Sequence, residues 1–302
     1  MKVLVMGAGA IGGFFGGLLA RASEEVFFVA RGQHLEALRT QGLRVTSFRG
    51  DFRVKVKAGD AREAAAEAPF DLILFATKSY DTEPAARELL GTLGSRTAVL
   101  SLQNGVDNEG KLQAILGPQR VLGGVAYVEA SLVEPGVIRH SAAGRIIFGE
   151  LDGKTSPRVE AIMEAFRRAG IDSELSAQIM AAKWEKLVFN CALNAMTALT
   201  RTGVAAILAT PEGQAGFRQA MEEVRQVALA AGIPLPSDVV ERRMAFAASG
   251  DMHSSMERDL SLHRPLELEA LNGVVVREGR RLGVPTPINE ALYGLVKAAS
   301  VR

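Results

Sequence analysis

Two groups of residues in this 302-residue chain have types and spacings that could do chemistry. The first is Gly7-Ala8-Gly9-Ala10-Ile11-Gly12, a GxGxxG pattern placed after the apolar run Val3-Leu4-Val5 and opening an amphipathic segment. In that strand-to-helix context Gly7 permits the tight turn and Gly9 lets the backbone approach a pyrophosphate. Gly12 lets helix and strand pack closely, and the free N–H groups of the helix start face the anion. A glycine-rich turn with no ligand is the plain alternative. The second group is Lys186, Asn190 and Asn194, spaced i, i+4, i+8 on one face of a segment otherwise apolar or small from Leu187 to Met196. An ammonium and two amides on a buried helix need partners, because an unpaired buried polar group costs about 1–3 kcal/mol and a charge more. A polar substrate is one such partner; another helix, or water, is the other.

The residue ending the second strand, about 20 residues after the glycine turn, selects the dinucleotide. An acid there bonds a ribose 2′-hydroxyl, but this chain has Arg31, whose forked guanidinium matches a 2′-phosphate. The expected cofactor is therefore NADP(H), against the alternative of a solvated arginine in an Arg-Gly turn. Lys78 follows the strand ending Ala76-Thr77, and Asn104 the strand ending Ser101-Leu102-Gln103. Both fall at carboxyl ends of strands, where open α/β sheets bind ligands, although an ordinary polar exit from the sheet reads the same way. The loop Gln103-Asn104-Gly105 is able to present an amide beside a nicotinamide. Glu267 shares a helix face with Ala270, Leu271 and Val274. At the margin of that apolar surface its carboxylate needs a donor, either a substrate hydroxyl or the Lys186 ammonium, unless it is a surface glutamate at a helix start. Ser254 and Ser255 by themselves read as a helix cap or loop.

The elements that must hold these residues follow from hydrophobic periodicity. Strands are expected at 2–6, 26–30, 71–77, 97–101 and 121–128, alternating with helices at 10–21, 34–41, 81–90 and 106–116. Such alternation means an α/β fold with a parallel, covered sheet. Residues 43–57 read as a pair of short strands, and 136–149 (GVIRHSAAGRIIFG) as a hairpin closing the sheet edge. After Gly153 helical patterns dominate, at 157–169, 176–199, 211–231, 236–248, 266–282 and 289–300, with a short strand at 171–174. The boundary falls near Glu174, giving domains at 1–174 and 175–302 with no low-complexity linker, so the two are expected to pack about a cleft. Lys plus Arg total 35 and Asp plus Glu 34, a net charge of +1 with no basic tract, which excludes a nucleic-acid partner. One cysteine, Cys191, and four scattered histidines indicate a reducing compartment and a metal-free site. The N-terminal apolar run is interrupted by glycines and falls short of the roughly 18–20 residues a membrane span needs, so a cytoplasmic protein is expected.

The motifs GAGAIGG, ARGQHLEAL, TKSYDT, LQNGV, KWEKLVFNCALNAMTALT, HSSM and LELEALNGVVV, in this order, resemble those of the ketopantoate reductase (2-dehydropantoate 2-reductase) family over nearly the whole chain. The resemblance implies a Rossmann-type NADPH-binding domain, then an all-helical domain similar to that of 6-phosphogluconate dehydrogenase, with the active site in the cleft. It implies that Gly7, Ala8, Gly9, Ala10, Ile11, Gly12, Arg31 and Lys78 bind the cofactor, and that Asn104 lies near nicotinamide and substrate. Lys186 would be the catalytic acid, Asn190, Asn194 and Ser255 would bind substrate, and Glu267 would lie by the reacting hydroxyl and the nicotinamide. The implied reaction is reduction of ketopantoate to pantoate, a step towards pantothenate and coenzyme A. One departure stands out: the family's usual Thr-Glu-Ile-Asp is Leu266-Glu267-Leu268-Glu269 here, after Pro265. The glutamate is kept, but substrate choice stays open to another branched 2-keto acid. A non-catalytic NADPH-binding sensor, with a structural Lys186 stripe, is the rival from another class. The expected partner is a small-molecule 2-keto acid, with no nucleic acid and no membrane; a homodimer is compatible with the long apolar helices.

Overall fold

The apolar run after Lys2 forms β1 (Lys2–Met6), an interior strand of a ten-stranded sheet in a computed structural model that describes residues 1–301. The chain continues through α1 (Ala10–Arg21), β2 (Glu25–Val29), α2 (Gly32–Gln41), β3 (Leu43–Ser47), β4 (Phe52–Val54), β5 (Lys57–Gly59) and α3 (Ala61–Ala66). It then forms β6 (Leu72–Phe75), α4 (Thr82–Glu88), β7 (Ala98–Ser101), α5 (Asn108–Leu116), β8 (Val121–Glu134), β9 (Val137–Glu150), α6 (Pro157–Arg168) and β10 (Asp172–Leu175). The strand order is β4-β3-β9-β8-β7-β6-β1-β2-β5, with β10 beside β9. All neighbours run parallel except the pairs β8/β9 and β3/β4. Strands β6 (LILF) and β7 (AVLS) read as unbroken small or apolar runs because helices cover both faces of the sheet. Alternation then sorts the side chains of β1: Val3 and Val5 join a core with Phe14, Phe15 and Phe28, while Leu4 and Met6 join one with Phe27, Ile73 and Phe75.

The segment 136–149 departs from its expected form. It is one strand, β9, paired antiparallel with β8 and parallel with β3, and it lies inside the sheet, not at its edge. The Ala-Ala-Gly that reads as a hairpin turn is a bulge. Ala143 and Gly144 take φ of 61° and 108°, and Gly144 is skipped as the register passes from Val128↔Ala143 to Tyr127↔Arg145. The real turn of the hairpin is at residues 135–136.

The rest of the chain is helical: α7 (Ile179–Thr200), α8 (Val204–Leu208), α9 (Pro211–Ala230), α10 (Val239–Ala247), α11 (Ser255–Ser261), α12 (Asn272–Leu282) and α13 (Pro287–Ala299). The chain forms two compact units, one of Met1–Gln103 with Asn108–Ile179, the other of Asn104–Asp107 with the chain from Met180 onwards. The second unit has its own apolar core, built by Trp184, Val188, Phe217, Met221, Val224 and Val275 among others. Within that core a buried polar network joins four helices. Asn272 of α12 donates to the Cys191 carbonyl of α7 and to Asn289 Oδ1, both at 3.0 Å. Asn289 Nδ2 in turn donates to Glu223 of α9 at 2.8 Å, and the same carboxylate accepts the Ile288 and Asn289 N–H groups at the start of α13. No helix among the described residues is long and apolar enough to cross a membrane.

The helix expected over 266–282 is also interrupted. Leu268–Ala270 form a single 3₁₀ turn, Leu271 leaves helical geometry at φ −105°, ψ −103°, and α12 begins at Asn272. Periodicity carried the expectation across Leu271 because side-chain pattern is blind to one residue's backbone. Since Asn272 fastens α12 to the helix that carries Lys186, Asn272→Leu removes that link and leaves the buried Asn289 Oδ1 without this donor. Urea denaturation is expected to show a loss of about 1–3 kcal/mol.

Candidate active site

The glycine turn between β1 and α1 uses one residue type in two opposite ways. A Cβ on Gly7, whose φ is +95°, would lie 2.9 Å from the Thr77 nitrogen, and one on Gly12 would lie 2.2 Å from the Gly7 oxygen and 2.8 Å from Val5. Those two positions are glycine because the protein itself fills the space. Gly9 differs: a Cβ there would meet nothing within 4 Å. The protein has no steric need for glycine at that position, whereas a pyrophosphate lying against the backbone would. Gly9 is also the N-cap of α1 and makes no side-chain cap, so the first N–H groups of Ala10, Ile11 and Gly12 are those an anion would use. The turn therefore fits a dinucleotide pyrophosphate.

Arg31 stands at the end of β2 as the extended N-cap of α2. Its side chain is 72% exposed and its Nη2 lies 2.9 Å from Glu88 Oε1 at the end of α4. Exposed pairs of this kind are worth about 0–1 kcal/mol, so the guanidinium is tethered without being committed. Lys78 follows β6 and precedes the 3₁₀ turn Ser79–Asp81. The backbone there is held by Gln103 at the end of β7, whose Nε2 donates to the Thr77 carbonyl at 3.0 Å and to Thr82 Oγ1 at 2.9 Å. Gln103 is thus a positioning residue that the sequence showed only as a neighbour of Asn104.

In the second unit Lys186 Nζ donates to Asn104 Oδ1 at 3.0 Å. Asn104 reaches it because the loop Asn104–Asp107 packs with the helices, not with the strand that precedes it. Gly105 makes this possible: at φ +95° it lies so near the 3₁₀ turn that a Cβ would be 2.6 Å from the Ala270 oxygen. Val106 enters the helical core, and Arg277 ties Asp107 to Glu269. Glu267, buried just ahead of the 3₁₀ turn, has its charge close enough to act on Lys186. Its expected helix face is corrected by the break at Leu271, so Glu267 does not share a continuous helix with Val274.

The Lys186 ammonium has a pKa lowered to about 8, first by burial and then by the charge of Lys183, with Glu267 acting in the opposite direction. Lys183, one turn earlier on α7 and only 3% exposed, is a buried cation that the polar stripe did not include. Glu185 between them points to another side and pairs with Arg243 at 2.9 Å and Arg242 at 3.4 Å. Glu269 is likewise turned outward. Although partial burial raises its pKa, bonds from Tyr293 (2.6 Å) and Lys297 (3.1 Å) bring it below the usual value.

Further along α7, Asn190 is half-buried and Asn194 is buried. Asn194 Nδ2 donates to the Asn190 carbonyl at 3.0 Å, so one of its amide hydrogens is satisfied by its own helix. Ser255 is exposed at the first position of α11, whereas Ser254, the N-cap, is buried. Ser254 Oγ accepts from the Glu257 N–H and lies 2.8 Å from Thr197 Oγ1 of α7. The second unit thus assembles Asn104, Lys186, Lys183 and Glu267, with Asn190 and Asn194 further along the same helix.

Comparison with known proteins bears on this arrangement. Residues 3–153 match the family described as ketopantoate reductase PanE/ApbA, and residues 178–300 match its C-terminal part. The chain belongs to the ketopantoate reductase family. A 2-dehydropantoate 2-reductase of Halobacterium salinarum is 35% identical over 301 residues, covering 99% of each chain. The crystal structure of a PanE/ApbA family ketopantoate reductase from Ralstonia eutropha superposes with a TM-score of 0.93 at 37% identity, covering 99% of this chain and 98% of that one. The fold is also that of a D-mandelate dehydrogenase solved with NADH and anilino(oxo)acetate, with a TM-score of 0.92, 23% identity and coverage of 99% and 98%. Members of the ketopantoate reductase family are oxidoreductases that use a nicotinamide dinucleotide on a small-molecule substrate.

If the Lys186 ammonium is the acid, kcat/KM for reduction falls as pH rises through about 8. Lys183→Met removes a repelling cation and is expected to move this basic limb to higher pH, and Glu267→Gln removes a stabilising anion and moves it lower. A pH–rate profile of the three proteins checks both signs.

Proposed function

We propose that this protein reduces ketopantoate to pantoate with NADPH, Lys186 acting as the proton donor. The observation that carries the reading is the Lys186 ammonium, half-buried, bonded to Asn104 and tuned to about 8 within a family of nicotinamide-dependent reductases. In this reading the first unit holds the dinucleotide: the backbone from Gly7 to Gly12 takes the pyrophosphate, Arg31 the 2′-phosphate, and Lys78 adds positive charge. The second unit holds the keto acid and the acid catalyst. When bound, the reduced nicotinamide supplies a hydride to the C2 carbonyl of the substrate. Lys186 hydrogen-bonds that carbonyl oxygen and transfers its proton as the oxygen becomes an alkoxide, leaving a 2-hydroxy acid and a neutral amine that solvent reprotonates. A fixed positive charge where negative charge develops is usually the largest catalytic contribution, and general acid catalysis adds about 10²- to 10⁴-fold.

Asn104 orients the ammonium and, with the nicotinamide in place, offers its amide N–H groups nearby. Asn190, Asn194 and Ser255 bind the carboxylate and the distal hydroxyl, keeping the ketone in attack range. Glu267 accepts from the reacting hydroxyl and steadies the Lys186 charge. The preference for NADPH over NADH rests on Arg31, which has no carboxylate of its own position to repel a 2′-phosphate and only an exposed partner, Glu88, to leave. The working compartment is the cytoplasm.

Turnover of NADPH with ketopantoate, run beside NADH and a panel of branched and linear 2-keto acids, tests the whole reading. Fast turnover only with another keto acid moves the substrate, and none with any keto acid favours a cofactor-binding sensor. Lys186→Ala is expected to lower kcat by at least about 10²-fold with NADPH affinity intact. Arg31→Met is expected to reduce the NADPH-over-NADH preference in kcat/KM by about 10- to 100-fold, the loss of a forked charged pair.

A further inference from the structure

His34 of α2 touches two backbones at once. Its Nε2 is 2.7 Å from the Ala8 carbonyl in the glycine turn, and its Nδ1 is 3.0 Å from the Gly136 nitrogen in the turn between β8 and β9. A backbone N–H only donates, so Nδ1 is the bare acceptor. The hydrogen therefore sits on Nε2 and is donated to Ala8. The ring is neutral and held in one tautomer by its two partners. Its position is fixed on both sides, because the Gly136 carbonyl is itself anchored by the Arg44 N–H at 2.9 Å, and Ala37 of the same helix packs against Gly136.

The Ala8 carbonyl belongs to the peptide whose other end is the Gly9 N–H. In a trans peptide the C=O and N–H point in opposite directions. Holding the oxygen towards His34 therefore aims the Gly9 N–H away from α2. The Ala8 N–H is held as well, donating to the Val29 carbonyl at 3.1 Å. Gly9 has no Cβ, and open space lies where one would stand. Its own carbonyl accepts from the Gly13 N–H at 2.7 Å, so the bond from His34 acts on the other side of the residue, the Ala8–Gly9 peptide. The peptide that precedes this open position is thus oriented by a hydrogen bond from outside the turn.

We propose that His34 is a positioning residue for the dinucleotide, pinning the Ala8–Gly9 peptide so that the turn presents its N–H groups to the pyrophosphate. The inference rests on the reading that the glycine turn holds the cofactor, and the experiment separates the two. His34→Met and His34→Gln have similar length, but only Gln carries a donor and an acceptor at its tip. Kd for NADPH from cofactor fluorescence, KM for NADPH and for the keto acid, kcat and Tm are measured for each.

His34→Met is expected to raise Kd and KM for NADPH about tenfold, about 1.4 kcal/mol. At saturating NADPH its kcat stays within about twofold and KM for the keto acid is unchanged, while His34→Gln recovers most of the affinity. Should the Met protein be too unstable to titrate, His34→Asn, too short to reach Ala8 and Gly136 together, takes its place with the same expectation. NADPH affinity unaltered in His34→Met, or a Gln protein no better than Met, overturns the proposal. Gly9→Val is the control: with open space at its Cβ it folds, and it is expected to lose NADPH binding. Loss in Gly9→Val with none in His34→Met overturns the role of His34 alone, whereas undiminished binding by Gly9→Val overturns the reading of the turn itself.

Discussion

The hydrogen bond from the Lys186 ammonium to Asn104 is the constraint around which much of the second unit is arranged. It requires a loop that follows β7 in sequence to pack among helices that come some eighty residues later. That packing needs a residue without a Cβ at 105, since the Ala270 oxygen occupies the space. The Ala270 carbonyl that Gly105 approaches lies just ahead of the break at Leu271. Arg277 completes the attachment by joining Asp107 to Glu269. Three local features of unrelated type thus converge on the placement of one amide.

The electrostatics of the same lysine are set by opposed neighbours. Burial disfavours the charged form, and Lys183 one turn away disfavours it further, while Glu267 favours it. The result is an ammonium more acidic than an exposed lysine, which suits proton transfer near neutral pH, since efficiency is greatest when an acid's pKa lies near the working pH. The helix that carries both cations is also held by forces other than electrostatics. These include the apolar packing of Trp184, Leu187 and Val188 and the Asn272 bond to the Cys191 carbonyl. The Glu223–Asn289–Asn272 network therefore serves the site at a distance, by fixing the helix that presents it.

Two signals of the first unit were legible because they are local. The glycine turn follows from three glycines at fixed spacing after a short apolar strand, and Arg31 follows from its distance along the chain. Expectations failed where backbone geometry departed from side-chain pattern. Ala143 and Gly144 have the composition of a turn, yet make a bulge that keeps β9 continuous. Leu266 to Leu282 has the periodicity of one helix, yet is divided at Leu271. Ser254 and Ser255 are equivalent as letters, and only the cap geometry turns Ser254 inward to Thr197.

By itself the sequence determined the α/β alternation, the glycine turn, the cation at the end of the second strand, and a polar stripe on an apolar helix. Each depends on residues within one or two turns of one another, so chain order alone carries the information. Only the tertiary structure decided that Lys186 meets Asn104, that Lys183 is buried beside it, that Gln103 fastens Thr77, and that His34 holds the Ala8 carbonyl. Those contacts join residues tens of positions apart. Their partners are set by how strands and helices pack, through close approaches at Gly105 and the placement of α2 against the hairpin turn. No spacing rule along one segment encodes them.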